Sequence, residues 1–210
     1  LLACAKSYKM DRKLAKVISI VFHPVIVPTL GMVLLFNSGF YFELLLWEAK
    51  RFVLLVVFFT TCILPMLSVA VLSLNPKFDV NMPDSRDRLI PLLSSALFYY
   101  LGFFLLRKVQ AVPEFKLFML ASVLVIVALL VISIKWKISN HMATIGGLSG
   151  ALFALAFRNG INPVYSVLIV VLLSGLIGSA RLSLKKHSVA QLAAGYGLGF
   201  VVLYLVIYFV

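Results

Sequence analysis

The chain has 210 residues and a formal net charge of +12, with 63% hydrophobic and only 12% charged residues. Soluble domains carry about a quarter charged residues, so a water-facing globule is excluded for want of polar side chains to cover it. Lipid is the solvent this composition requires. The positive charge then belongs to loops, where it suits anionic headgroups or phosphate-bearing substrates rather than nucleic acid.

In chain order, a short basic segment over residues 1–16, with Lys6, Lys9, Arg12, Lys13 and Lys16, leads into the first apolar run. A hydrocarbon core needs about 20 apolar residues per helix. Runs near that length lie at 17–40, 52–74, 89–107, 116–134, 139–157, 163–180 and 190–210. They predict one transmembrane domain over 1–210, an all-α integral membrane protein built as a bundle of six to seven transmembrane helices. The run at 139–157 is the reason six is the alternative, because Ser139, Asn140, His141 and several glycines dilute its start. His23-Pro24 and Pro28 predict a kink in the first run. Trp47, Trp136, Tyr41 and Tyr165 read as interfacial anchors. Gly146-Gly147 and the Gly195, Gly197, Gly199 series read as close helix packing. Cys4 and Cys62 make no disulfide framework.

If all seven runs cross, the N-terminus, the 75–88 loop, the 135–138 turn and the 181–187 segment share one side. That side holds the larger share of Lys and Arg. The positive-inside bias assigns it to the cytoplasm, which fits a bacterial inner membrane.

Nearly every chemically capable residue falls on that same side, in three clusters. The first runs from Lys77 through Asp79, Asp84, Arg86 and Asp87 to Arg88. The second is Ser139-Asn140-His141, and the third is Ser179-Ala180-Arg181 followed by His187 and Gln191. Two helical hairpins bring the three to one membrane face, and polar groups gathered at helix ends are a functional site by default. Guanidinium and ammonium groups suit an oxyanion, Arg by bidentate contact and Lys as a point charge. One histidine can attack phosphorus while another protonates the leaving oxygen. After Glu114 there is no Asp or Glu. The paired acidic cages of metal-dependent prenyl or alcohol transferases therefore cannot be assembled, and no metal or other cofactor is expected.

The clusters resemble the three-part signature of the type 2 phosphatidic acid phosphatase family: Lys-x6-Arg-Pro, Pro-Ser-Gly-His and Ser-Arg-x5-His-x3-Asp. Arg181-x5-His187 reproduces the third element. Ser139 and His141 keep the second, with Ile138 and Asn140 in place of Pro and Gly. Lys77 with Arg86 or Arg88 stands loosely for the first. The resemblance covers about residues 70–200. It implies a phosphomonoesterase or diphosphatase acting on an amphiphile such as phosphatidate, phosphatidylglycerophosphate or a polyprenyl diphosphate. His187 would be the nucleophile that forms a phosphohistidine, and His141 the general acid. Lys77, Arg86, Arg88, Ser139, Asn140 and Arg181 would form the phosphate-binding group. Gln191 stands where the family has Asp. It can fix the tautomer of His187 but cannot stabilise its positive charge. The alternative function is therefore a catalytically weak or inactive relative that binds anionic lipid or supports a membrane complex.

Overall fold

The structure, a computed structural model, describes residues 10–75, 88–107 and 113–210. Lys77 and Arg86, two of the expected phosphate ligands, lie outside the described residues, as do Asp79, Asp84 and Asp87. The described residues form nine α-helices and no strand: α1 (Arg12–Val21), α2 (Val27–Leu35), α3 (Trp47–Phe58), α4 (Leu64–Leu72), α5 (Leu89–Leu106), α6 (Pro113–Ser133), α7 (Asn140–Asn159), α8 (Val164–Ser183) and α9 (Val189–Phe209). A π turn over Phe59–Ile63 joins α3 and α4 into one helix, Trp47–Leu72. This helix and α5, α6, α8 and α9 are the five that are long and apolar enough to cross a bilayer.

The other two expected spans differ for physical reasons. The first run is broken, and its nine-residue α2 is only about 14 Å long. α7 has the length, but Asn140, His141, Thr144 and Ser149 lower its apolarity, and most of its residues are buried. It is the central post of the bundle.

Glycine sets how closely α7 and α9 cross. A Cβ at Gly146 would lie 2.3 Å from the Tyr196 carbonyl oxygen, and one at Gly199 1.9 Å from that of Ala143. Only the absent side chain lets the two backbones meet, the small-residue device of membrane helix pairs. The contact seats the start of α9 beside the start of α7, where the Ser139 N–H donates to the Gln191 carbonyl at 3.3 Å. At the far end, Gly160 takes a left-handed conformation (φ 62°) and closes α7.

Two helix interruptions shape the middle of the bundle, and both trace to proline. Pro24 lacks an N–H and disfavours helical geometry at His23. The His23 N–H turns to the Ile20 carbonyl at 3.3 Å, so the Ser19 carbonyl has no donor from its own helix. Pro65 near the start of α4 likewise removes a donor, and the adjacent π turn absorbs the mismatch. Side chains make good part of the loss. The Thr61 hydroxyl donates to the Val25 carbonyl at 3.3 Å, tying the second interruption to the first. Irregular backbone in a membrane protein is tolerated where protein or a cavity surrounds it, and here a cavity borders both breaks.

Candidate functional site

Between the two interruptions lies a cavity of about 510 Å³. Pro24 and Pro65 both border it, together with residues of α4, α5, α6, α7 and α8. Its lining divides by chemistry. One part is polar, formed by His23, Arg88, Asn140, His141, Arg181 and His187; the other is apolar, with Met66, Val69, Leu92, Ile126 and Leu129. Such a lining offers both polar and apolar contacts to a ligand.

Five expected site residues meet here: Arg88, Asn140, His141, Arg181 and His187. They arrive from four places in the chain. Arg88 immediately precedes α5, and Asn140 and His141 open α7. Arg181 lies in the last turn of α8, and His187 in the turn between α8 and α9.

Three residues of the lining each carry a buried polar atom without a hydrogen-bond partner: Asn140 Oδ1, Arg181 Nε and His187 Nδ1. Leaving one such atom unpaired costs about 1–3 kcal/mol, so the polar lining is held in place at a cost that the packing around it offsets. The charge has a definite sign. Arg88 and Arg181 both face the space, and among the described residues no carboxylate lines it. Burial holds the Arg88 guanidinium below its ordinary pKa, because a desolvated cation is costly. His187 is lowered further, to about 4, by burial first and then by the Arg181 and Arg88 guanidiniums; polar contacts with the Gln191 side chain and the Lys137 backbone oppose the shift. At neutral pH its imidazole is therefore uncharged and holds a lone pair.

His141 is anchored by the helix break. Its Nε2 lies 3.1 Å from the Ser19 carbonyl oxygen, the group left without a donor at Pro24. A carbonyl only accepts, so Nε2 carries the proton and Nδ1 is the ring's acceptor.

Two expected site residues are absent from the cavity lining. Ser139 is fully buried and its hydroxyl caps α7, accepting from the Met142 N–H at 3.5 Å. Gln191 closes a capping box on α9. Its Oε1 accepts from the Ser188 N–H at 3.0 Å, and its own N–H donates to the Ser188 hydroxyl at 3.3 Å. The pattern Ser188-x-x-Gln191 is a capping signature readable in the sequence, and it gives the amide a structural task beside its contact with His187.

His23 is the site residue that sequence reasoning missed. It was expected to mark only a kink, yet it lines the cavity and meets His141 edge to face, with ring centroids 5.5 Å apart. The signal was the combination of an ionisable residue with Pro24 inside an apolar run, which is rarely placed without a polar neighbour.

Comparison with protein-family models, curated proteins and solved structures finds no match to this chain.

Proposed function

We propose that the cavity hydrolyses a phosphate ester or diphosphate carried by an amphiphile, with His187 as nucleophile. The observation that carries this reading is the pairing of two guanidiniums with an uncharged, buried histidine in a space that no described carboxylate neutralises. Arg88 and Arg181 would take the phosphoryl oxygens, and the Asn140 amide would donate to them. A neutral His187 would attack phosphorus; the phosphorus–oxygen bond to the alcohol breaks, and the leaving oxygen takes a proton from His141 Nδ1, which must first gain it from water because the Nε2 proton is held by the Ser19 carbonyl. Water then cleaves the phosphohistidine and releases phosphate. The apolar lining supports an acyl or prenyl body on the substrate. The resemblance of Arg181-x5-His187 and Ser139-x-His141 to the type 2 phosphatidic acid phosphatase signature supports the same chemistry. The basic loops support a cavity facing the cytoplasm from a bacterial inner membrane.

Two observations favour a second reading, a weak or inactive relative that holds an anionic lipid without cleaving it. Gln191 is engaged in the α9 cap and brings no negative charge to His187. The one proton of neutral His141 is committed to the Ser19 carbonyl.

One assay separates the two readings. Purified protein is incubated with phosphatidate, phosphatidylglycerophosphate and a polyprenyl diphosphate in the presence of a chelator, with His187→Ala alongside. Phosphate release by the wild type that the variant lacks is the expected result. Equal background release from both overturns the hydrolase in favour of the binding protein.

A further inference from the structure

The first helix does not belong to the hydrocarbon interior or to water. Along α1, Leu14, Val17 and Ile20 are 52%, 56% and 69% exposed. Arg12, Lys13 and Lys16 are exposed as well, while Ala15, Ile18 and Ser19 are buried. At 3.6 residues per turn Ala15, Ile18 and Ser19 form one arc against the protein; the exposed arc opposite runs from Arg12 and Lys16 to Val17 and Leu14, with Ile20 and Lys13 interleaved where its basic and apolar parts meet. Water would leave the apolar sector unsatisfied, and hydrocarbon would strand the three cations. The boundary between lipid and water satisfies both, the setting in which basic amphipathic helices bind anionic lipid.

α1 is also wired to the cavity. It packs on α8, the helix that carries Arg181. Its Ser19 carbonyl accepts from His141, and the break that ends it places His23 in the cavity wall.

We propose that α1 lies in the membrane interface as a docking element for anionic lipid headgroups, and that this contact holds the Ser19 carbonyl against His141. The occupant follows from charge complementarity: three exposed cations beside an exposed apolar stripe, on a chain of net charge +12. An acidic protein would satisfy the cations but not the stripe. The inference is independent of whether the cavity hydrolyses its ligand.

The test uses the full chain in nanodiscs, with Cys4→Ser and Cys62→Ala, and an environment-sensitive fluorophore attached at Val17→Cys. In phosphatidylglycerol–phosphatidylcholine discs the probe is expected to be blue-shifted and quenched by brominated acyl chains. In phosphatidylcholine alone it should be wetter. Each Lys or Arg near an anionic surface contributes about fivefold, roughly 1 kcal/mol. Arg12→Gln, Lys13→Gln and Lys16→Gln together should therefore weaken docking by about a hundredfold and bring the probe to its zwitterionic signal.

High salt, with a screening length of about 3 Å at 1 M, should do the same to the unsubstituted helix without any risk to folding. Ring-nitrogen shifts of labelled His141 should move together with the docked fraction. Emission and quenching that ignore lipid charge, or that persist through charge removal and salt, overturn the docking. A soluble acidic protein that shifts the probe in zwitterionic discs overturns the choice of lipid. His141 shifts that stay fixed while the probe moves overturn the coupling.

Discussion

The cavity controls the protonation of His187, and its titration tests the electrostatic reasoning without assuming any activity. Burial and two guanidiniums lower its pKa to about 4. At pH 5.5 the ring should then be only about 3% protonated, whereas an ordinary histidine with a pKa near 6.5 would be about 90% protonated. The sign for stability follows by linkage. In the unfolded chain the imidazole takes its proton near 6.5, and in the folded protein near 4. Its contribution is therefore intact above about pH 6.5 and is lost progressively as pH falls through 4. The assay is nitrogen NMR of histidine-labelled protein in nanodiscs, with the His187 signal assigned by its loss in His187→Asn. Arg181→Gln removes the second-largest cause of the shift, so the midpoint in that variant should rise toward 6.5. A wild-type midpoint near 6.5, or one that ignores Arg181→Gln, would refute the placement of these groups around one another.

Other consequences are independent of that titration. Gly199→Ala should destabilise the protein by about 1–3 kcal/mol or more through overpacking, because its Cβ would meet the Ala143 carbonyl at 1.9 Å and the Gly147 nitrogen at 2.7 Å. Gly197→Ala, with nothing within 4 Å, should be neutral or slightly stabilising; thermal unfolding of the two variants side by side checks the contrast. Arg88→Gln or Arg181→Gln should each weaken phosphate binding by about 10- to 100-fold, the worth of a charge-assisted hydrogen bond, read as a rise in the inhibition constant of inorganic phosphate. Gln191→Asp would put a carboxylate beside His187 and should raise the rate of phosphate release; an unchanged rate would show that the cap, and not the missing charge, fixes that residue. Maleimide labelling of Ser85→Cys and Glu48→Cys from one side of sealed vesicles should modify only one of the pair.

Much of the helical architecture could be read from the chain because lipid imposes so few options. Apolar runs of sufficient length become helices, and five of the seven runs do so with spanning character. The meeting of Arg88, His141, Arg181 and His187 was also legible from alternation, which returns the three clusters to one face when α7 crosses along with the five spanning helices. What the spacing leaves open is local. Ser139 is expected among the phosphate ligands and Gln191 as the partner that orients His187, and both also sit where a helix begins and needs an acceptor for its free N–H groups. Backbone demand competes for these side chains, and spacing to a histidine carries no information about which claim wins. The cavity itself was not legible. Pro24 announces an interruption, but that it faces the one beside Pro65 depends on how α2 packs against the Trp47–Leu72 helix.

That packing gives the site its logic. A straight first helix would have paid the Ser19 carbonyl with the His23 N–H and left His141 to find another partner. The proline instead frees the carbonyl, His141 binds it, and His23 turns toward the space that opens. A substitution that heals the break, Pro24→Ala, should therefore compete directly with the His141 contact. The His23 N–H would return to Ser19, and the imidazole would lose the acceptor that fixes its tautomer. The measurable sign is the His141 ring-nitrogen spectrum, which should change from a single Nε2-protonated form to an exchanging pair. A spectrum unaltered by Pro24→Ala would mean that the histidine is held by the packing of α7 alone, and that the break serves only to bend the chain.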